Sequence, residues 1–292
     1  MLEWSANMSD SPDLGFSKEG ALGIIEQLRG GAKSRLPYDL ILQMMSMLMS
    51  ACARHGVYTS YSIQTELLIH RARRLENKGE WLRSIEDLGP TPPDKTPAYG
   101  RCHQPRRPVG YWSLYEDTAL AEVRAELNEQ YVISTFRMPK GSRLVPIGDF
   151  DHYRRVGRTY LGDALEQSGK GYGEILSRED RAIFALFDAF LADEFIKPAM
   201  TQTDYKITSA ISFVLFNCDL KLGKIDGIVY PSVAFLKGTN FAVREDFRSK
   251  MEPVPAETRI VEITDVFGYG IFVCKVLASL KSVNPDGSLD WE

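Results

Sequence analysis

The stretch that decides the fold is Gly100-Arg101-Cys102-His103, followed by Val109-Gly110-Tyr111-Trp112-Ser113 and Thr118-Ala119-Leu120-Ala121-Glu122. The pattern predicts a turn, a short strand and a helix in succession. Tyr111 follows Arg101 by ten positions, and Glu122 follows Tyr111 by eleven. A guanidinium, a flat ring and a carboxylate on three successive elements would suit one cleft that holds a phosphate, an aromatic ring and a developing positive charge.

Composition places the chain among ordinary globular proteins. It has 292 residues, of which 44% are hydrophobic and 25% charged, which is typical of such domains. The formal net charge of -4 gives no reason to expect binding to nucleic acid or to an anionic membrane. The four cysteines lie far apart and no histidine stands at ligand spacing, so neither a zinc site nor a disulfide framework is indicated. We expect no metal.

The first part of the chain carries no targeting signal that the sequence reveals. Residues 1–18 include acids and lack an apolar run, unlike a signal peptide. Residues 36–53 are rich in Leu and Met, but they contain Pro37, Asp39 and Gln43 and fall short of the ~20 apolar residues that span a bilayer. This segment is interpreted as a helix buried against protein, and the chain is expected to be cytoplasmic.

Helical and strand patterns mix along the rest of the chain, with no internal repeat. Helices are predicted from Lys18, from Leu36, from a Ser113 cap to about Asn128, after a capping box at 177–180, and over about 203–222. Strands are predicted at 66–73, 109–114, 131–136, 143–147, 228–230, 240–243, 259–266 and 270–283. Residues 149–173 are expected to be a loop or irregular insertion. Few β-α-β units occur, which indicates an α+β fold.

Three stretches together resemble the RES domain family. The stretch over residues 100–122 is similar to the family's first signature. Asp226-Gly227-Ile228-Val229-Tyr230-Pro231-Ser232 with Gly238-Thr239-Asn240 is similar to its second, and His70-Arg71-Ala72-Arg73 to its first strand. The resemblance covers residues 61–284, which leaves a helical N-terminal segment over 1–60 and a C-terminal tail over 285–292.

The resemblance implies an ADP-ribosyltransferase-like fold with a split mixed β-sheet and flanking helices, and it implies consumption of NAD. Many family members are toxins of bacterial toxin–antitoxin pairs that an Xre-type partner neutralises. The family's arginine, tyrosine, glutamate and serine correspond to Arg101, Tyr111, Glu122 and Ser232. Cys102 departs from the aromatic or large apolar residue usual in the family. Gly110 departs from the usual β-branched or apolar one.

Glu122 is the candidate for the central catalytic role. Breaking the bond between ribose C1 and nicotinamide passes through a cation of oxocarbenium character, as in glycoside cleavage. A fixed carboxylate stabilises that charge and can bind a ribose hydroxyl. Taken alone, Glu122 would be read as a solvated helix carboxylate, but its spacing from Tyr111 and Arg101 favours the catalytic interpretation.

Arginines are the candidates for binding the pyrophosphate of NAD. The planar fork of Arg101 suits phosphate oxygens, and Gly100 would let the backbone approach closely. Arg71 and Arg73 alternate with Ala72, so both are expected on one strand face, where they would add phosphate contacts or remain strand-edge charges.

Tyr111 and three polar residues complete the predicted site. Tyr111 offers a ring face against nicotinamide and a hydroxyl, and only one of Tyr111 and Trp112 can face the cleft. Ser232, at a strand end, is expected to orient Glu122 or a ribose hydroxyl, or to be a turn residue. Asn240 and His103 are weaker candidates for ligand contacts, and His103 is equally well explained as a structural histidine.

Three functions remain open at this stage. The favoured one is an NAD-cleaving toxin that passes ADP-ribose to water or phosphate. The second is an ADP-ribosyltransferase that modifies a protein or small molecule, for which residues 149–195 could form an acceptor platform. The third is a non-catalytic binding module that uses the N-terminal helices as a contact or homo-oligomer surface.

Overall fold

Apolar strand patterns build a mixed β-sheet at the centre of the protein, with helices packed against it. The computed structural model describes residues 18–30, 36–54, 60–162, 171–174, 181–218, 220, 222–235 and 238–292. The predicted α+β class is confirmed. None of the helices in these ranges is both long and apolar enough to cross a membrane.

Two groups of strands make up the sheet. The first has the order β1 (Tyr61–Ser62), β5 (Arg143–Pro146), β6 (Gly227–Pro231), β7 (Thr239–Val243) and β3 (Gly110–Ser113). The second has the order β2 (Leu67–Arg74), β4 (Gln130–Met138), β9 (Arg259–Val266), β10 (Phe272–Val283) and β11 (Leu289–Trp291), with β8 (Glu252–Pro253) continuing the β9 edge of β4. β5 and β6 run parallel, and the other described pairs antiparallel. The groups meet where His70 of β2 pairs with Ser113 of β3.

The central strand β4 is covered on both faces, because all its residues except Arg137 are buried. A near-continuous apolar run of this kind is typical of strands between two packed layers. Helix α3 (Glu116–Glu122) covers one face, where its Ala119 and Leu120 pack with Ile133 of β4. Small alanine side chains let the helix lie close to the sheet, which brings its last residue, Glu122, to the boundary between the two strand groups.

Four longer helices cover the first strand group. They are α1 (Lys18–Arg29), α2 (Tyr38–Arg54), α5 (Arg181–Ile196) and α6 (Lys206–Asn217). Apolar residues at spacings of three and four join them in one core, which includes Ile25, Leu28, Met45, Leu48, Phe187 and Ile211. The two predicted N-terminal helices are therefore present, and their buried side chains share a core with the sheet.

Helix α3 differs from its predicted bounds at both ends. Its N-cap residue is Tyr115, so the prediction that Ser113 caps the helix is wrong; the Ser113 hydroxyl instead bonds to Asn240. The helix ends at Glu122 rather than near Asn128, because Arg124 adopts a positive φ of 51° that leaves helical geometry.

A helix, α4 (Asp149–Val156), occupies part of the segment that the sequence predicted to be irregular. The carboxylate of Asp188 on α5 accepts hydrogen bonds from the backbone N–H groups of Gly148 and Asp151 at 2.9 and 2.8 Å. Asp188 thus satisfies the free donors at the start of α4. Sequence pattern could not reveal this contact, since its partners lie about 40 positions apart along the chain.

Smaller differences concern chain ends and segment ends. α6 ends at Asn217, before the predicted end near Leu222. Residues 289–291, within the predicted tail, form β11 and pair with β10. The predicted capping box at 177–180 lies outside the described residues.

Candidate active site

Glu122 presents one carboxylate oxygen to the protein. Ser232 Oγ donates to Oε1 at 2.6 Å, and Asn240 Nδ2 donates to the same oxygen at 2.5 Å. Both donors are buried, at 3% and 4% exposure, whereas Glu122 is exposed. No hydrogen bond to Oε2 is present among the described residues, so this oxygen is available to solvent or to a ligand. The predicted contact between Ser232 and Glu122 is present.

A tight loop after β6 brings Ser232 to the end of α3. Ser232 N–H donates to the Gly238 carbonyl at 2.9 Å, and Phe235 N–H donates to Ser232 Oγ at 3.0 Å. Gly238 lies against α3: a Cβ there would stand 2.5 Å from Thr118 Cγ2 and 3.0 Å from Ser232 Cβ. Only glycine lets the loop approach α3 this closely. The contact is with Thr118, which lies four residues before Glu122 and therefore on the same face of the helix.

Strand β3 directs Tyr111 and Trp112 to opposite faces of the sheet, as predicted. Tyr111 packs with the cluster that contains Tyr230, while Trp112 packs edge-on against Phe136 on the other face. Gly110 makes room for that indole, because a Cβ at this position would lie 1.8 Å from Trp112 Cζ3. The unusual glycine is therefore explained by the large residue two positions later.

The Tyr111 hydroxyl is bonded within the protein. It accepts from Cys102 N–H at 2.8 Å and lies 2.8 Å from His103 Nδ1. Burial lowers the pKa of His103, partly offset by a hydrogen bond to the Ala98 carbonyl, and burial raises the pKa of Tyr111 well above its ordinary value. A neutral His103 can donate to the Ala98 carbonyl and accept from the Tyr111 hydroxyl, so both of its ring nitrogens have a partner. Contact of this hydroxyl with a ligand stays a prediction.

The Gly100 turn serves the His103 ring. Gly100 and His103 exchange backbone hydrogen bonds at 3.0 and 3.4 Å, and a Cβ on Gly100 would lie 2.1 Å from His103 Cε1. The space that the missing side chain leaves is filled by imidazole. Packing of the His103 ring thus accounts for the glycine at position 100, and approach of this backbone to a phosphate stays a prediction.

Arg101 points to the end of helix α5. Its Nη1 donates to the Phe195 carbonyl, its Nη2 donates to the Lys197 carbonyl at 3.3 Å, and the guanidinium lies 5.3 Å from the centre of the Tyr205 ring. Carbonyls at a helix C-terminus carry partial negative charge and attract cations. Arg101 is thus hydrogen-bonded to protein carbonyls, and its binding of the NAD pyrophosphate stays a prediction.

Arg71 and Arg73 lie on one face of β2, as their alternation predicted. Arg71 donates to the Tyr111 carbonyl at 3.1 Å and to Thr91 Oγ1 at 3.4 Å, and Arg73 donates to the Asp87 carbonyl at 3.1 Å. Within the described chain, neither forms a salt bridge. Burial lowers the pKa of Arg71 to about 10, with a further contribution from Arg73, and Arg71 Nε is buried without a partner. Arg71 is therefore a half-buried cation with no counter-ion among the described residues.

Tyr230 links the two sides of the site, and the predicted site residues did not include it. It pairs with Asn240 across the sheet and is 4% exposed. Burial raises the pKa of Tyr230, as do Cys102, Tyr111 and Glu122, while Arg101 lowers it. Arg101, Tyr111 and Glu122 are therefore all within electrostatic reach of this hydroxyl. The sequence did offer a signal for Tyr230 as a site residue: it lies two positions before Ser232, and residues two apart on a strand share a face.

Among the described residues, two cavities adjoin the turn formed by residues 100–103. One of about 430 Å³ is lined by His103, Gln104, Phe213 and neighbouring residues, and one of about 380 Å³ adjoins Arg101, Lys197 and Tyr205. Neither is lined by Glu122 or Tyr111. In the described chain, no group of three or more His, Cys, Asp or Glu residues is placed to hold a metal ion.

Fold and site together define an α+β domain in which buried hydroxyl and amide donors present an exposed carboxylate at the junction of two strand groups. The sequence model of the RES domain matches residues 68–264, and the chain belongs to the RES domain family. Membership in this family indicates an enzyme that acts on NAD. Comparisons with curated proteins and with solved structures gave no match.

Proposed function

We propose that the protein cleaves the bond between nicotinamide and ribose in NAD and passes ADP-ribose to water or phosphate. The observation that supports this most is the state of Glu122. Its Oε1 accepts from Ser232 and Asn240, and its Oε2 is available for substrate. A carboxylate held in this way needs no rearrangement when positive charge develops beside it.

The proposed reaction breaks the C1–N bond, and its electron pair leaves with nicotinamide, which departs as a neutral molecule. The ribose ring then carries oxocarbenium character, which the negative charge of Glu122 stabilises. A preorganised group of this kind is worth about 3–4 kcal/mol in a transition state. Water attacks C1 and releases a proton, giving ADP-ribose, or a phosphate oxygen attacks and gives a phosphorylated ADP-ribose.

Arg71 is the better supported of the candidate pyrophosphate ligands. It is a half-buried cation whose described partners are neutral oxygens, and a buried charge without a counter-ion is unfavourable. A phosphate would supply the missing negative charge. In the proposed complex Arg101 also binds phosphate, which requires it to leave the Phe195 and Lys197 carbonyls. Arg73, His103 and the ring face of Tyr111 complete the proposed binding site.

We further propose that this reaction makes the protein a growth-inhibiting cytoplasmic toxin, because loss of NAD stops metabolism. The family's association with Xre-type proteins supports an antitoxin partner. Overproduction would then lower cellular NAD and arrest growth, and the Glu122→Gln variant would do neither.

A second candidate, transfer of ADP-ribose to a protein, is favoured by the surface beside Glu122. The turn between β9 and β10 exposes Phe267 at 64% and Tyr269 at 91%. Gly270 of that turn lies against the Phe235 ring, because a Cβ on Gly270 would stand 2.5 Å from Phe235 Cδ2. The Phe235 N–H donates to Ser232 Oγ, so the turn lies beside the loop that holds Ser232. Exposed apolar patches commonly mark protein contacts, so an acceptor protein could dock next to the site.

Purified protein incubated with NAD, with and without phosphate, tests the proposal. Proton NMR would show nicotinamide release, and phosphorus NMR would show whether phosphate has joined ADP-ribose. The Glu122→Gln variant is the control. Failure of the wild type to release nicotinamide under either condition would sink the proposal. Label from NAD appearing on protein in a lysate would favour the second candidate.

A further inference from the structure

A buried hydrogen-bonded chain leads to Glu122 from strand β3. Ser113 Oγ donates to Asn240 Oδ1 at 2.7 Å, and Asn240 Nδ2 donates to Glu122 Oε1 at 2.5 Å. Ser113 is 3% exposed and Asn240 is 4% exposed. We propose that Ser113 and Asn240 are positioning residues, which fix the Glu122 carboxylate so that its free oxygen faces the nicotinamide ribose. This inference rests on the proposed function.

The donor and acceptor roles along this chain are set from its Glu122 end. A carboxylate oxygen only accepts, so the Asn240 amide must present its NH2 group to it. Oδ1 of the amide then faces Ser113, whose hydroxyl donates to it. The reversed amide would place a carbonyl oxygen against a carboxylate oxygen, which is repulsive. Ser113 therefore holds Asn240 in the orientation that donates to Glu122.

The sheet holds these partners in place. Ser113 and Asn240 are directly paired residues of β3 and β7, so their side chains project from adjacent strands toward the same face. Asn240 also pairs with Tyr230 of β6 on its other side. Neither side chain can shift far without disturbing strand pairing, and this rigidity passes to Glu122.

Two donors on a single carboxylate oxygen have a geometric consequence. Ser232 and Asn240 both donate to Oε1, which fixes the plane of the carboxylate as well as its distance from the loop. Asn240 thus acts through Glu122, whereas the sequence predicted a direct ligand contact. Ser113 had been predicted only as a helix cap.

The test compares Ser113→Ala with Ser142→Ala in full-length protein. Ser142 is equally buried and donates to the Pro139 carbonyl at 2.5 Å in the turn before β5, so the same chemical change occurs away from the site. Loss of a hydrogen bond in the chain to a charged group should lower kcat for NAD cleavage about tenfold, with KM changed less than about twofold. Ser142→Ala should leave both quantities unchanged.

A second variant and an activity-independent readout make the outcome decisive. Asn240→Leu keeps a similar side-chain volume but removes the NH2 donor without adding a charge, and Ser113→Cys keeps a weak donor and should restore part of kcat. In protein labelled with ¹³C at glutamate carboxyls, the carboxyl chemical shift of Glu122 at neutral pH should change in Ser113→Ala and Asn240→Leu, because it reports the hydrogen bonds to Oε1. A chemical shift equal to wild type in both variants overturns the inference, even if the wild type cleaves NAD. A wild type that does not cleave NAD overturns the proposed function, while a changed chemical shift still supports the positioning role.

Discussion

The Glu122 side and the Arg101 side of the site are built differently. Glu122 is exposed and receives two hydrogen bonds from buried side chains, so its second oxygen is available without any change in the protein. Arg101 is partly buried and directs its guanidinium to the carbonyls that end α5. The Tyr111 hydroxyl beside it is bonded to Cys102 and His103.

This difference shows that a candidate site can be preorganised for chemistry on one side while its cation on the other side stabilises the fold. Glu122 itself can be changed at little cost to stability, because it is exposed and only one of its oxygens is bonded to the protein. A residue on the Arg101 side holds a helix end and a turn together. Substitutions on the two sides should therefore separate activity from stability.

The largest effect is expected from Glu122→Gln. It removes the negative charge but keeps the shape, so NAD cleavage should fall about a thousandfold. The melting temperature should stay within about one degree, since surface substitutions usually change stability little. Nicotinamide release and thermal unfolding measure the two quantities. A variant that keeps most of its activity would contradict the role of the carboxylate.

Arg101→Ala should reduce both activity and stability. Hydrogen bonds to a charged group are worth about 1.5–3 kcal/mol, and the variant leaves the Phe195 and Lys197 carbonyls without their donor. Urea unfolding should show a loss of about 2 kcal/mol. Arg107→Ala is the control, because Arg107 is exposed in the same loop. Loss of activity with unchanged stability would mean that Arg101 serves a ligand alone.

Gly100→Ala tests the turn on the Arg101 side. The new methyl would meet the His103 ring, and overpacking of this kind costs about 1–3 kcal/mol. Gly23→Ala in α1 is a matched control, since no atom lies within 4 Å of its Cβ position and alanine favours helix by about 0.5–1 kcal/mol. Chemical denaturation should thus give changes of opposite sign. A stable Gly100→Ala protein would argue against the packed turn.

A pH-dependent effect is expected at α5, whose last carbonyls bind Arg101. Burial raises the pKa of Asp188 from its ordinary value of 3.8 to about 7, so between these pH values the native state keeps a proton that the unfolded chain releases. The free energy of unfolding should therefore fall as pH rises from about 4 to 7, by at most about 1.4 kcal/mol per pH unit for this group. Asp188→Asn should lose that slope, and it should be less stable overall because its NH2 group cannot accept one of the two backbone N–H bonds. Parallel stability curves for the two proteins would exclude this role of Asp188.

Sequence predicted the elements that local patterns encode. β2, β3, β4, β6, β7, β9 and β10 and the longer helices follow apolar periodicity, and they lie where the sequence placed them. α4 was missed because Asp188, a partner on another helix, satisfies its first N–H groups. The end of α3 was missed because a positive φ at Arg124 is not encoded by any common breaker there.

The candidate site was partly predictable. The family resemblance named Ser232 and Glu122 as site residues, and the strand-end position of Ser232 led to the prediction that it orients Glu122, which their hydrogen bond matches. Strand pairing decides the partner of Asn240, and single-sequence patterns do not show which strands are neighbours, so the link from Ser113 was missed. The engagement of Arg101 with α5 depends on how a distant helix end packs, which no local pattern carries.

The most direct test is a crystal structure of Glu122→Gln with intact NAD. The account predicts that C1 of the nicotinamide ribose lies about 3–4 Å from the substituted side chain, with the pyrophosphate at Arg71 and with Ser232 and Asn240 still oriented toward position 122. NAD bound in the cavity lined by His103 and Phe213, with its ribose away from position 122, would contradict it.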